Sequence, residues 1–178
     1  GVETIELLSA CRLVEKKGVD DIASVFADLP LDLRDQWELK LYGDGPLKKM
    51  IKELVANTGA SIDIDYVSYE KLPSVYQDAS LMIQGSKYPE PFSRTWLEAM
   101  ASGTPIICSK NPSSESVLGG IAEFYDPFDR SSLAQILEEL LLNAEKRKQM
   151  ASSGKSAISK YKPERIVAEY RSLYRDIV

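Results

Sequence analysis

The chain has 178 residues, of which 44% are hydrophobic, 28% charged and 8% aromatic, with a net charge of −5; this balance excludes a disordered chain, and its acidic sign argues against nucleic-acid binding. No apolar run nears the ~20 residues of a membrane span, Gly1-Val2-Glu3-Thr4 does not read as a signal peptide, and Cys11 and Cys108 are too few for a disulfide framework or zinc site, which fits a reducing cytoplasm. Histidine is absent, which removes the commonest general base and metal ligand and any Ser-His or Cys-His nucleophile.

Ile5 to Cys11 reads as a short buried strand, and Gly18 to Leu29 as a helix with Val19, Ile22, Val25 and Phe26 on one face. Trp37 to Tyr42 alternates apolar and polar residues, which predicts a strand that stops at the turn Gly43-Asp44-Gly45-Pro46. Pro46 suits the first turn of a helix whose apolar face is Leu47, Met50, Ile51, Leu54 and Val55. Ser61 to Val67 is a third strand, Glu70 to Gln77 a short helix and Ala79 to Gln84 a fourth strand. A loop over 85–92 leads into a helix from Ser93 to Ser102, and Gly103 ends it. Pro105 to Cys108 and Ile121 to Tyr125 give two more strands, with helices at Ser131 to Asn143, Ala144 to Ser153 and Pro163 to Asp176.

Repeated strand–helix units predict an α/β fold: a Rossmann-like parallel sheet of about six strands with helices on both faces. Residues 1–178 read as a single domain, with C-terminal helices over about 144–178. Residues 145–178 carry +5 and the rest −10. The basic tail reads first as a solvated helical face, and second as a contact with a membrane surface or other anionic partner. The acidic body is expected to hold a basic pocket around Arg12 and Lys17.

Ligands of such sheets sit at the carboxyl ends of the strands, so three loops matter. In Arg12-Leu13-Val14-Glu15-Lys16-Lys17-Gly18, two cations precede a helix whose positive end favours anions. In Gly43-Asp44-Gly45-Pro46 the glycines permit close backbone approach to a ligand. The third run, Glu90 to Pro105, puts Glu90 in a loop and Glu98 eight positions on, inside the helix. Between them the amides of Ser93, Arg94 and Thr95 lack helical partners. A carboxylate accepts from neighbouring hydroxyls, so two carboxylates flanking free amides suit a ligand with hydroxyls at both ends and phosphates between. A nucleotide-sugar has that layout.

With these loops in order, nearly the whole chain resembles the C-terminal domain of the retaining, GT-B-fold glycosyltransferases of family four, also called glycosyl transferases group one. The family's E-x7-E run, E-G-F-G followed by E-A-M-A-x-G-x-P-V-I, matches Glu90 to Ile107. Its G-R-L…E-K-G element matches Cys11-Arg12-Leu13 and Lys16-Lys17-Gly18, and its G-D-G-P matches Gly43 to Pro46. Its L-x-x-x-Y-x-x-A-D matches Leu72 to Ser80, and its terminal helix the run from Glu164 to Tyr174. Departures are Cys11, Pro91 and Ser93 where glycines are usual, and Arg94 in place of an apolar residue; Ser93 also suits a helix cap.

The resemblance implies a transfer of a sugar from a UDP- or GDP-linked donor to a glycan, lipid or protein, with retention. It implies no cofactor and no metal, a cytoplasmic setting or the inner face of a membrane, and an N-terminal acceptor domain absent from this chain. By the resemblance, Arg12 and Lys17 bind the diphosphate, Glu90 holds the transferred sugar and Glu98 the ribose. The amides of Phe92, Ser93, Arg94 and Thr95 meet phosphates and sugar. The base lies near Tyr66 and Val67, and Gly43 and Asp44 line the donor cleft. The isolated domain is expected to bind donor weakly and catalyse little. A non-catalytic sugar-nucleotide-binding subunit of the same fold is the alternative. The E-x7-E run argues against an epimerase, and Cys11-Arg12 at the first strand end against a receiver domain. Asp63-Ile64-Asp65 mimics a metal-binding D-x-D, but period two puts both carboxylates on one exposed strand face. Ser113 to Ser116 reads as the start of a short helix.

Overall fold

The structure, a computed structural model, describes residues 5–177. Six parallel strands form one sheet in the order β3-β2-β1-β4-β5-β6. They are β1 (Ile5–Ala10), β2 (Trp37–Tyr42), β3 (Ile62–Asp65), β4 (Leu81–Gln84), β5 (Ile106–Ser109) and β6 (Glu123–Tyr125). The nine helices among the described residues are α1 (Val19–Ala27), α2 (Leu31–Arg34), α3 (Lys48–Thr58), α4 (Leu72–Asp78), α5 (Arg94–Ser102), α6 (Pro112–Leu118), α7 (Arg130–Leu142), α8 (Ala144–Ala157) and α9 (Pro163–Ile177). Single 3-10 turns cover Glu15–Lys17, Tyr69–Lys71 and Ile158–Tyr161.

Alternation along the strands divides the core in two. Leu7, Leu39, Leu41, Leu81 and Ile83 pack on α1, α3 and α7 through Phe26, Ile51 and Leu137. Leu8, Met82, Ile106 and Cys108 pack on α4, α5 and α6 through Tyr76, Trp96, Met100 and Leu118. β4 and β5 are buried at every position, as expected of parallel strands covered on both faces. Gly154 of α8 lies against Met100 of α5. α9 leaves Val167, Tyr170, Leu173, Tyr174 and Ile177 exposed.

The register runs Leu7↔Leu39 on one side of β1 and Leu7↔Leu81 on the other. Strand order reverses between β1 and β4, and a crevice opens at such a switch point, outside the strands' carboxyl ends. The element boundaries differ from expectation in places. β3 stops at Asp65 instead of Val67. Its last partner is Tyr42, the final residue of β2, and the Asp65 carboxylate accepts from the Tyr66 N–H at 2.7 Å, which turns the chain. α2 was not expected, because four residues carry no readable period. α8 runs to Ala157 rather than Ser153. α6 confirms a helix at Ser113 to Ser116: Asn111 caps it, accepting from the N–H groups of Ser113 and Ser114.

Candidate functional site

A cleft of about 480 Å³ occupies the crevice. The β1 end supplies Ala10, Cys11 and Arg12, and the β2 end supplies Tyr42, Gly43 and Asp44. Tyr66 and Val67, after β3, meet Tyr69, Leu72 and Tyr76 from the next turn and α4. Glu90, Phe92, Ser93, Arg94, Thr95 and Glu98 form the opposite side. All the expected site residues thus lie on one cleft except Lys17, which reaches it through Glu90. The expected basic pocket is instead mixed: Asp44, Glu90 and Glu98 share it with Arg12 and Arg94.

The first two loops are joined by main chain. Cys11 N–H donates to the Tyr42 carbonyl at 3.1 Å, Leu13 N–H to Asp44 at 2.9 Å, and Leu47 N–H to Leu13 at 3.1 Å. A Cβ on Gly43 would run into the Cys11 carbonyl oxygen, and one on Gly45 into that of Leu13. These glycines therefore serve loop-to-loop packing, as a tight turn there requires, and Gly43 also lines the cleft. Gly18, with φ of 62°, is similarly pressed against the Gly85 carbonyl.

The third loop is tied by side chains. Lys17 Nζ and the Ser86 hydroxyl both donate to Glu90 Oε1, the latter at 3.0 Å. Burial alone would raise the Glu90 carboxyl, but the hydrogen bond and charge of Lys17, with Ser86, outweigh it and hold it below the usual carboxylate range. Glu90 is therefore an anion and an acceptor at neutral pH. Lys87 bridges to Asp20 at 3.0 Å and Asp21 at 2.7 Å, pinning the loop to the start of α1. Phe92 packs edge-on against Trp96, with centroids 6.4 Å apart, and against Tyr161 at 6.1 Å.

Glu98, one helix turn and more into α5, accepts from the Tyr76 hydroxyl at 3.1 Å. Burial, reinforced by the Glu98 charge, pushes the Tyr76 phenol far upward, so it remains a donor. Tyr76 stands in the L-x-x-x-Y motif, which marks the position but not its partner. α5 begins beside the cleft with its first amides uncapped by Ser93, whose hydroxyl makes no bond to them. That corrects the expected cap. Ser93 instead meets Gln84 at 3.1 Å and Thr95 at 2.7 Å. Gln84 was not expected at the site; it sits at the end of an apolar strand, where no local pattern flags it.

The sequence model of the family described as glycosyl transferases group 1 matches residues 2–157. Mannosylfructose-phosphate synthase of Agrobacterium fabrum is 33% identical over 148 residues, 75% of this chain and 32% of that protein. The uncharacterized glycosyltransferase MJ1178 of Methanocaldococcus jannaschii is 28% identical over 92% of this chain and 46% of its own length. The chain thus spans less than half of these curated relatives. Among solved structures, sucrose-phosphate synthase of Thermosynechococcus elongatus superposes with a TM-score of 0.83 at 24% identity, over 99% of this chain and 46% of that one. At that identity the likeness shows the fold, that of GT-B C-terminal domains.

Proposed function

This chain belongs to the glycosyl transferases group 1 family, and on that premise we propose that its cleft binds a nucleotide-diphosphate sugar for retaining transfer to an acceptor glycan, lipid or protein. The observation that carries this reading is the cleft itself. It brings Glu90, Glu98 and the uncapped start of α5 onto one cleft with Arg12, from the loop after β1. The relative Anabaena structure in complex with UDP and glucose, similar in fold at a TM-score of 0.83, supports the same ligand class.

The roles follow from the chemistry of each group. Glu98 accepts from the ribose hydroxyls, with Tyr76 holding its second oxygen. Tyr66 and Val67 face the base. Glu90, kept ionised by Lys17, accepts from hydroxyls of the sugar. As the bond from the anomeric carbon to the diphosphate breaks, negative charge grows on the leaving oxygen. Arg12 and the α5 amides meet it, with the charge of Lys17 added from its pair with Glu90, as preorganised donors do where charge develops. We propose that no metal takes part. The acceptor would be presented by a partner domain across the cleft, in the cytoplasm or at the inner face of a membrane. No helix among the described residues is long and apolar enough to cross a membrane.

Calorimetric titration with UDP and GDP tests the reading, using this chain and its Arg12→Ala/Lys17→Ala variant. The expected result is binding of one diphosphate that the double variant weakens by tenfold or more, on the order of one or two charge-assisted hydrogen bonds. Equal affinities in the two proteins would overturn the diphosphate assignment.

A further inference from the structure

The side chain of Gln84 is nearly sealed, at 8% exposure, so each end of its amide needs a partner. The Trp96 indole N–H donates to its Oε1, and an indole nitrogen is a donor only. The Cys108 thiol lies 3.3 Å from the same oxygen; burial first of all pushes that thiol up to about 12, so it keeps its proton. With donors on one side, the amide has a single satisfying orientation, and Nε2 faces Ser93 Oγ and donates to it at 3.1 Å.

Ser93 Oγ then lies 2.7 Å from Thr95 Oγ1. The two hydroxyls hold two protons, and one of these is used between them. The Gln84 proton already fills an acceptor position on Ser93. Whichever hydroxyl donates within the pair, one O–H remains, and among the described residues it has no acceptor. Both residues line the cleft beside the uncapped amides of α5.

We propose that Gln84 is a positioning residue that polarises the Ser93–Thr95 pair, so that a hydroxyl proton joins the α5 amides in meeting the diphosphate of the ligand. The inference rests on the donor-site reading above. A phosphate oxygen accepts and has no proton to give, so it suits a place where the spare O–H and the α5 amides all donate. Ser93, which stands where the family run has glycine, and Gln84 beneath it then form one device. Capping by Ser93 would fill an amide; Gln84 diverts its hydroxyl and leaves the amide free.

The test reverses the polarity. In Gln84→Glu one carboxylate oxygen still accepts from Trp96, while the other accepts from Ser93 where Gln84 donated. In Gln84→Met the link is simply removed. UDP and GDP are titrated by calorimetry against wild type, both variants, and the same changes in a Ser93→Gly/Thr95→Val background. Tryptophan emission and far-ultraviolet circular dichroism show which variants keep the fold. Gln84→Glu is expected to weaken the bound diphosphate by about tenfold or more, the scale of one hydrogen bond to a charged group. Gln84→Met is expected to weaken it less, and both losses should fall below about twofold when the hydroxyl pair is absent, since coupled groups are not additive. Should Gln84→Glu fail to fold, Gln84→Met in the two backgrounds decides. Unchanged affinity in the Gln84 variants, or an equal loss in both backgrounds, overturns the inference and leaves the donor site standing. A wild type that binds neither diphosphate overturns both.

Discussion

The two walls of the cleft are built differently. The wall from β1 and β2 is sewn together by peptide groups, with Gly43 and Gly45 set against the carbonyls of Cys11 and Leu13. The wall over 85–93 shares one main-chain bond with it, Lys87 N–H to the Lys16 carbonyl at 2.9 Å. Otherwise it is held by the groups of Lys17, Ser86, Lys87, Gln84 and Phe92. A peptide wall keeps its shape across pH and tolerates changes of side chain. A side-chain wall can be tuned one residue at a time and responds to charge.

The contrast breaks most visibly at Gly43→Ala. The added Cβ meets backbone that cannot move aside, and the expected loss is about 3 kcal/mol by urea unfolding, the upper range for overpacking. Loss below about 1 kcal/mol would mean that the peptide wall is pliant. On the other wall, Lys87→Met leaves Asp20 and Asp21 without their shared cation. Asp21 keeps Arg130, so the expected cost is about 1–2 kcal/mol, less than a fully buried pair gives. Tyr161→Ala removes one of the rings that flank Phe92 and should cost about 1 kcal/mol, with weaker diphosphate binding as Phe92 loosens.

The smallest effect is in pH. The Glu90 carboxyl lies below its ordinary value of 4.5 in the folded chain, and Asp21 lies below 3.8, where burial opposes the stronger pull of Lys87 and Arg130. A depressed carboxyl stabilises the fold fully above its unfolded value and loses that contribution as pH falls through the folded one. Stability should therefore decline below about pH 4.5 in wild type. Glu90→Gln should flatten the upper part of that decline, as thermal midpoints between pH 3 and pH 6, taken as a rough window, would show. An identical slope in both proteins would mean that the Lys17–Glu90 pair contributes nothing to the wall.

Legibility divides along the same line. The strands were readable because Trp37 to Tyr42 alternates and because β4 and β5 are short apolar runs between turns. The peptide wall announced itself as Gly43-Asp44-Gly45-Pro46, although what the glycines accommodate was not legible. A Cβ clash with Cys11 depends on a crossover between strands. Glu90 and Glu98 line one cleft, and their nearness was legible because a loop and the following helix start are local. The partners of the side-chain wall were not legible: Lys17 meets Glu90 across 73 positions and Lys87 meets Asp20 across 67. Hydrophobic period speaks for neighbours in sequence. It is silent on which polar groups a parallel sheet brings together, and so on Tyr76 with Glu98 and Gln84 with Ser93.

The place of the cleft has a thermodynamic consequence. It straddles β1 and β4, whose pairing at Leu7↔Leu81 joins the two halves of the sheet. Neither half alone forms both walls, so a bound ligand favours the assembled chain over every partly folded one. Occupancy is then read by heating: a ligand at 100 times its dissociation constant adds about 2.7 kcal/mol to the unfolding free energy. For a chain of this size that raises the melting temperature by roughly 5–10 °C.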